Sequence, residues 1–135
     1  MGDLIPVEFT PAVMAMLHDR AGGHCEGCGR AGIRLEAHHR LFRSRGGRGQ
    51  VENGLMLCGW GNHTGCHGVA HSANQPIGWA LRSWQHAIEE PYQDKAGQLW
   101  MLHPDGTKTR HYPDGRPDPL PDPWDTVSAA DPWAA

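Results

Sequence analysis

Four cysteines are the feature that most constrains what this 135-residue chain can fold into. Cys25 and Cys28 form a Cys-x-x-Cys pair, and Cys58 and Cys66 follow with seven residues between them. Four thiolates satisfy tetrahedral zinc, and the close first pair favours metal over disulfides. The second pair is looser, so His63, which lies in the gap, is an alternative fourth ligand. We expect an all-cysteine structural zinc (Zn²⁺) site.

The composition predicts one small domain that needs such a site for its stability. Apolar residues make up 39% of the chain, and it contains 18 Gly, 11 Pro and only two Phe. A loop-rich chain of this length supports only a modest core. It shows no charged-then-apolar signal segment and no apolar run of about 20 residues. We therefore expect a cytoplasmic protein of a reduced compartment that makes no membrane contact.

The net charge of −3 is the sum of two unlike parts of the chain. Residues 113–135 hold five aspartates, one arginine and six prolines, which gives −4, and we expect this acidic Pro/Asp-rich tail to be disordered. The remaining residues, 1–112, therefore carry +1. Residues 30–49 contain six arginines against Glu36 alone. Such a run is most often a solvated surface, but this one brackets two adjacent histidines, which favours a phosphate-binding role.

Local signals in the first half of the chain predict one helix, two strands and a short second helix. Thr10, followed by Pro11, is typical of a helix start, and the glycines after residue 21 are typical of its end. Strands are expected at residues 34–39 and 54–58, with a loop at 43–50 between them. A short helix is expected from Cys66 to about Ser72.

Signals in the second half predict a longer helix and a hairpin. Ile77, Leu81, Trp84 and Ile88 recur with helical spacing, which predicts a helix over residues 76–89 whose apolar side faces the core. The turn sequence Pro104-Asp-Gly106 lies between two β-prone runs, so residues 98–112 are predicted to form a β-hairpin.

Two pairs of histidines lie among the cysteines. His67 and His71 are four residues apart, which places both on one face of the expected short helix and close enough to share a metal ion. His38 and His39 are neighbours at a strand end, where side chains alternate between faces. We expect them to divide two roles, one as a metal ligand and one as a general base. A solvated pair beside the arginines is the alternative.

Taken together, these motifs resemble those of the HNH endonucleases, which have the ββα-metal (His-Me finger) fold. The matching segments are Cys25-x-x-Cys28, Ala37-His38-His39, Glu52-Asn53-Gly-Leu-Met-Leu-Cys58 and Gly65-Cys66-His67-x-x-x-His71. They lie within residues 10–72, and the zinc-stapled members from bacteria and bacteriophages look most similar. The resemblance implies an α+β fold in residues 1–112, with the core motif in 25–72 and an accessory helix and hairpin in 76–112.

The resemblance also implies roles for individual residues. His38, His67 and His71 would hold a divalent catalytic ion (Mn²⁺, Ni²⁺, Co²⁺, Zn²⁺ or Mg²⁺), His39 would be the general base, and Asn53 would hold the loop that orients it. The arginines expected to contact DNA phosphates are Arg40, Arg43, Arg45 and Arg48. The implied activity is nicking or double-strand cleavage of DNA with low sequence specificity.

The same family analogy suggests a phage-encoded monomer that acts in the host cytoplasm, with a phage packaging or terminase complex as a partner. The competing interpretation is a catalytically inactive zinc-binding module that binds nucleic acid or assists assembly. An RNA-cleaving toxin would need a delivery domain that so short a chain lacks.

Overall fold

The computed structural model of the protein describes residues 5–116. Its first helix begins and ends at the residues that the capping signals in the sequence predict. Helix α1 spans Pro11–Ala21. The Thr10 side chain accepts a hydrogen bond from the Val13 amide at 3.2 Å, and Gly22 ends the helix in the left-handed conformation that glycine adopts without strain. The predicted N-terminal helix is confirmed.

A two-stranded antiparallel sheet and a short helix follow. Strand β1 spans Leu35–His39, strand β2 spans Gly54–Cys58 and helix α2 spans Gly65–Ala70. In the sheet register Leu35 lies opposite Cys58 and His39 lies opposite Gly54. Both predicted strands and the short helix are confirmed, although α2 starts one residue before Cys66 and ends two residues before Ser72. The loop between the strands contains short 3-10 turns at Arg43–Arg45 and Val51–Asn53.

This sheet separates two hydrophobic clusters, because every residue of β2 is buried. One cluster lies against α1 and consists of Leu17, Ala21, Val51 and Met56. The other cluster surrounds the cysteines, and its buried members are Cys25, Leu55, Leu57, Cys58, Cys66, Ala70, Trp79, Tyr92 and Leu102. The cysteine cluster is thus part of the larger core, with side chains from both halves of the chain packed around it.

The second sheet contains the predicted hairpin and one strand that the sequence did not predict. Strand β3 spans Tyr92–Gln93, β4 spans Leu99–Leu102 and β5 spans Lys108–Arg110, in the antiparallel order β3-β4-β5. Tyr92 of β3 and Leu102 of β4 belong to the core around the cysteines. The hairpin is confirmed, and it is anchored to the core motif through these side chains.

The helix predicted over residues 76–89 is wrong. That segment is irregular apart from a 3-10 turn at Ala87–Glu89. In the predicted apolar stripe only Leu81 is buried, whereas the residues Ile77, Trp84 and Ile88 are 56%, 75% and 48% exposed. The Gly78 and Leu81 carbonyls accept hydrogen bonds from the guanidinium groups of Arg40 and Arg45 instead of from the amides four residues further on.

The coarse fold class predicted from the sequence is confirmed, since residues 5–116 form a small α+β structure. No helix in that range is long and apolar enough to cross a membrane. The predicted disordered tail lies outside the described residues except for its first four, 113–116. There Arg116 forms an ion pair with Asp114 and lies over the ring of Tyr112.

Candidate functional site

The four cysteines converge from three parts of the chain. Cys25 and Cys28 lie on the turn after α1, Cys58 ends β2 and Cys66 is the second residue of α2. Their sulfur atoms all lie within 4.8 Å of one another, and all four are free thiols. The predicted joining of residue 25 to residues 58–66 is therefore confirmed. His63 is exposed and belongs to neither metal-compatible group of side chains in residues 5–116, so it does not replace a cysteine.

The sulfur geometry fits a tetrahedral metal ion. Zinc–sulfur bonds of about 2.3 Å place tetrahedral sulfurs about 3.8 Å apart, and Cys28 Sγ lies 3.8 Å from Cys58 Sγ. The backbone amides of Cys28 and Cys58 donate to Cys25 Sγ at 3.4 and 3.3 Å, and the Cys66 amide donates to Cys58 Sγ at 3.5 Å. Such N–H···S bonds stabilise thiolate charge, so the donor set is suited to a structural zinc ion.

A second group of metal-compatible side chains consists of His38, His67 and His71. One ring nitrogen of each lies within 4.8 Å of one ring nitrogen of the other two. His38 comes from β1, His67 from α2, and His71 from the residue that ends α2. The structure therefore brings together the three histidines predicted as ligands. Three imidazoles at this spacing can hold a transition-metal ion.

Two of these rings have their other nitrogen fixed by a hydrogen bond. His38 Nε2 donates to the Trp79 carbonyl at 2.6 Å, which leaves Nδ1 as the nitrogen that carries a lone pair. His67 Nδ1 lies 3.0 Å from Glu36 Oε1, which leaves Nε2. Burial lowers the pKa of His38 to about 3, so this ring is neutral at neutral pH, as a metal ligand must be. Partners of this kind orient ligating histidines and raise their affinity for metal.

The ring of His71 is held by stacking. It lies on Phe42 with ring centroids 4.6 Å apart and planes 25° apart. Phe42 in turn is covered by the guanidinium of Arg45, whose central carbon is 4.7 Å from the ring centroid. The loop after β1 thus positions the most exposed of the three histidines.

His39 lies on the opposite face of β1 from His38. Its Nε2 donates to the Val7 carbonyl at 2.7 Å, and its ring stacks on Phe9 at 4.2 Å between centroids. Burial lowers the pKa of His39 from its usual value, which keeps the imidazole unprotonated near neutral pH. A donated Nε2–H leaves Nδ1 as the nitrogen able to accept a proton. The predicted separation of two roles between adjacent histidines agrees with these two environments.

Asn53 is buried and holds the loop that follows His39. Its Oδ1 accepts from the Leu41 amide at 2.8 Å, and its Nδ2 donates to the carbonyls of Leu41 and Arg48 at 3.2 and 2.8 Å. Its own carbonyl accepts from the Arg40 amide at 2.8 Å. These bonds lie where the predicted loop-holding role requires them.

An open cleft of about 300 Å³ lies in front of the histidines. Its walls include all three rings of the cluster together with His39, Glu8, Phe9, Asn62 and Arg43. Both histidine environments therefore open onto one space, which is large enough to admit a phosphate group and a water molecule.

The four arginines predicted to bind DNA do not behave alike. Arg43 is exposed at the cleft and pairs with Glu8. Arg45 and Arg48 are partly buried and donate to the carbonyls of Leu81 and Ile5. Arg40 is 0% exposed, so its guanidinium cannot reach a phosphate, and its predicted DNA contact is wrong.

Sequence reasoning missed the groups that orient the histidines. Glu36 had a usable signal, because it lies two residues before His38 and therefore on the same face of the strand. The carbonyls of Val7 and Trp79 had none, because any residue offers a carbonyl and only the tertiary fold brings these two to the rings.

No protein-family model matches this chain, and no curated protein or solved structure shows significant similarity to it.

Proposed function

We propose that this protein is a metal-dependent endonuclease of the HNH type that hydrolyses DNA phosphodiester bonds with low sequence specificity. The observation that carries the proposal is the convergence of His38, His67 and His71 within 4.8 Å, beside a fourth imidazole that opens onto the same cleft. The order of β1, β2 and α2 in the chain, with a cysteine cluster at their base, also supports the ββα-metal fold that the sequence motifs suggest.

The proposed division of labour follows from the hydrogen bonds of the rings. His38, His67 and His71 would hold a divalent ion, which would supply Lewis-acid stabilisation of the charge on the phosphate and the leaving 3′ oxygen. His39 accepts a proton from the attacking water at Nδ1, because its Nε2–H is donated to Val7. The water oxygen bonds to phosphorus as the bond from phosphorus to the 3′ oxygen breaks. Arg43, at the cleft wall, contacts a phosphate once its pairing with Glu8 is exchanged for the DNA.

A second candidate function is a zinc-stabilised module that binds nucleic acid or assists assembly without cleaving it. The observation that favours it is the cover over His39, where Phe9 stacks on the ring and Val7 occupies one of its nitrogens. Cleavage assays separate the two candidates.

The testing experiment is digestion of supercoiled plasmid by the purified, zinc-loaded protein with added Mn²⁺, Ni²⁺, Co²⁺ or Mg²⁺, and with EDTA. The nuclease proposal predicts conversion to nicked or linear DNA that EDTA abolishes. An all-imidazole ligand set favours transition ions, whereas magnesium prefers oxygen ligands, so Mg²⁺ should support the slowest cleavage.

Two variants make the assay specific for this site. His39→Ala should cut about 100-fold more slowly or worse, since a general base contributes about 10²–10⁴-fold. His63→Ala is the matched control, because His63 lies just before α2 but outside the histidine cluster, and it should cut like the wild type. Plasmid that stays intact with every ion would refute the nuclease and leave the non-catalytic module.

A further inference from the structure

Arg40 is a buried cation whose role the proposed chemistry does not explain. Its guanidinium donates only to backbone carbonyls, and the acceptors are Gly78, Glu52, Ala87, Glu90 and Pro91, at 2.7–3.1 Å. Within residues 5–116 it forms no ion pair with a carboxylate. Burial lowers the pKa of Arg40 to about 10, so it remains charged at neutral pH. A buried charge is costly unless hydrogen bonds compensate for it, and this one is compensated by the irregular segment 78–91.

Arg40 bonds to that segment on both sides of a two-residue stretch, Trp79 and Ala80. Its Nε donates to the Gly78 carbonyl at 2.8 Å, and its own carbonyl accepts from the Leu81 amide at 2.8 Å. Trp79 lies between these two bonds, and its carbonyl is the acceptor for His38 Nε2. The backbone that orients His38 is therefore held by the residue two positions after His38.

The backbone at Gly78 and Trp79 has little room for any other conformation. Gly78 has φ +80°, and a Cβ atom at this position would lie 2.0 Å from the Pro91 carbonyl oxygen. The indole of Trp79 is fully buried, and its Nε1 donates to the Gln93 carbonyl at 2.7 Å. The Trp79 carbonyl is thus fixed at one place, and Arg40 bonds to the backbone before and after it.

We propose that Arg40 is a positioning residue for the histidine metal site. It acts by holding the Trp79 carbonyl against His38 Nε2. This contact selects the His38 tautomer whose Nδ1 is free for a metal ion. The proposal deepens the proposed function, because it rests on the assignment of His38 as a ligand. Loss of an outer partner of a ligating histidine costs about 10–100-fold in metal affinity, and Arg40 would contribute through such a partner.

The test compares Arg40→Lys with Arg20→Lys. Arg20 is a matched control, because it is also a buried arginine with several hydrogen bonds, to Glu26 and to the carbonyls of Val51 and Gly54. It contacts neither the histidines nor residues 78–91 in these bonds. Each variant, in its zinc-loaded form, is titrated with Ni²⁺ by calorimetry, and its histidine tautomers are read from ¹⁵N chemical shifts.

Arg40→Lys should bind Ni²⁺ at least about 10-fold more weakly than the wild type, and its His38 ring should lose the single Nε2–H tautomer. Arg20→Lys should lose stability but keep both the tautomer and the affinity. Equal losses of affinity in the two variants at equal loss of stability would show a merely structural role and overturn the proposal.

Two outcomes need separate readings. If Arg40→Lys does not fold, hydrogen exchange in the wild type decides, because a shared clamp predicts similar protection factors for the His38 Nε2 proton and the Leu81 amide, each taken relative to its own unprotected exchange rate. A much lower protection factor at His38 would overturn the proposal. If the wild type shows the fixed tautomer but binds no Ni²⁺, Arg40 holds the Trp79 carbonyl without a metal site, and both the positioning role and the proposed metal centre are refuted. Ni²⁺ binding without DNA cleavage would refute only the nuclease activity.

Discussion

Replacement of Cys28 by serine should unfold the protein, because a zinc ion at the four cysteines would contribute more free energy than the fold can lose. The core around the cysteines has nine buried residues, and three of them, Cys25, Cys58 and Cys66, are proposed zinc ligands. Zinc binding by such sites contributes about 10–16 kcal/mol, whereas a whole domain is stable by about 5–15 kcal/mol. Serine is a poor zinc ligand, so most of the binding energy, and with it the folded state, should be lost.

The assay for Cys28→Ser is circular dichroism during thermal unfolding, together with the zinc content of the purified protein. The wild type should contain one zinc ion and unfold cooperatively, and chelator should abolish the transition whereas a thiol reductant should not shift it. His67→Ala is the control, because it alters the histidine cluster and leaves the sulfurs intact. A Cys28→Ser protein that folds with the wild-type midpoint would refute the reasoning, since the core would then be stable without the fourth sulfur.

Two further predictions concern the groups that orient the histidines. Glu36→Gln weakens the hydrogen bond to His67 Nδ1. Calorimetry should therefore show Ni²⁺ affinity reduced by about 10-fold or more, with little change in folding. Unchanged affinity would mean that Glu36 plays no part at the metal site. Deletion of residues 1–7 removes the Val7 carbonyl from His39, so plasmid cleavage should slow by about 10-fold or more while Ni²⁺ affinity stays the same. A shorter deletion, of residues 1–4, is the control, and faster cleavage after the longer deletion would instead identify residues 5–7 as a cover over the site.

Local patterns were sufficient to predict the elements whose signals lie within a few residues. Thr10, Pro11 and Gly22 predicted α1, and strands were predicted at residues 34–39 and 54–58, which pair in the first sheet. The cysteine group and the pair His67 and His71 were also predicted from their spacing, whereas the assignment of His38 as a ligand came from the resemblance to the HNH endonucleases.

The errors came from tertiary contacts that no local pattern encodes. The stripe of Ile77, Leu81, Trp84 and Ile88 has helical spacing, but the Gly78 and Leu81 carbonyls, which a helix would pair with its own amides, accept from Arg40 and Arg45. Arg40 itself had the composition and position of a phosphate-binding residue, and only the fold shows that its charge is buried. A strand of two residues, such as Tyr92–Gln93, is too short to carry a periodic signal.

The central claim is that the cysteines hold one metal ion for the fold and the histidines hold a second for the chemistry. Calorimetric titration of Ni²⁺ into the zinc-loaded wild type, His39→Ala and His67→Ala tests it most directly. The claim predicts one further ion in the wild type and in His39→Ala with nearly equal affinity, because His39 is a base and not a ligand, and no binding at the site in His67→Ala. Failure of the wild type to bind the second ion, or loss of binding in His39→Ala, would contradict it.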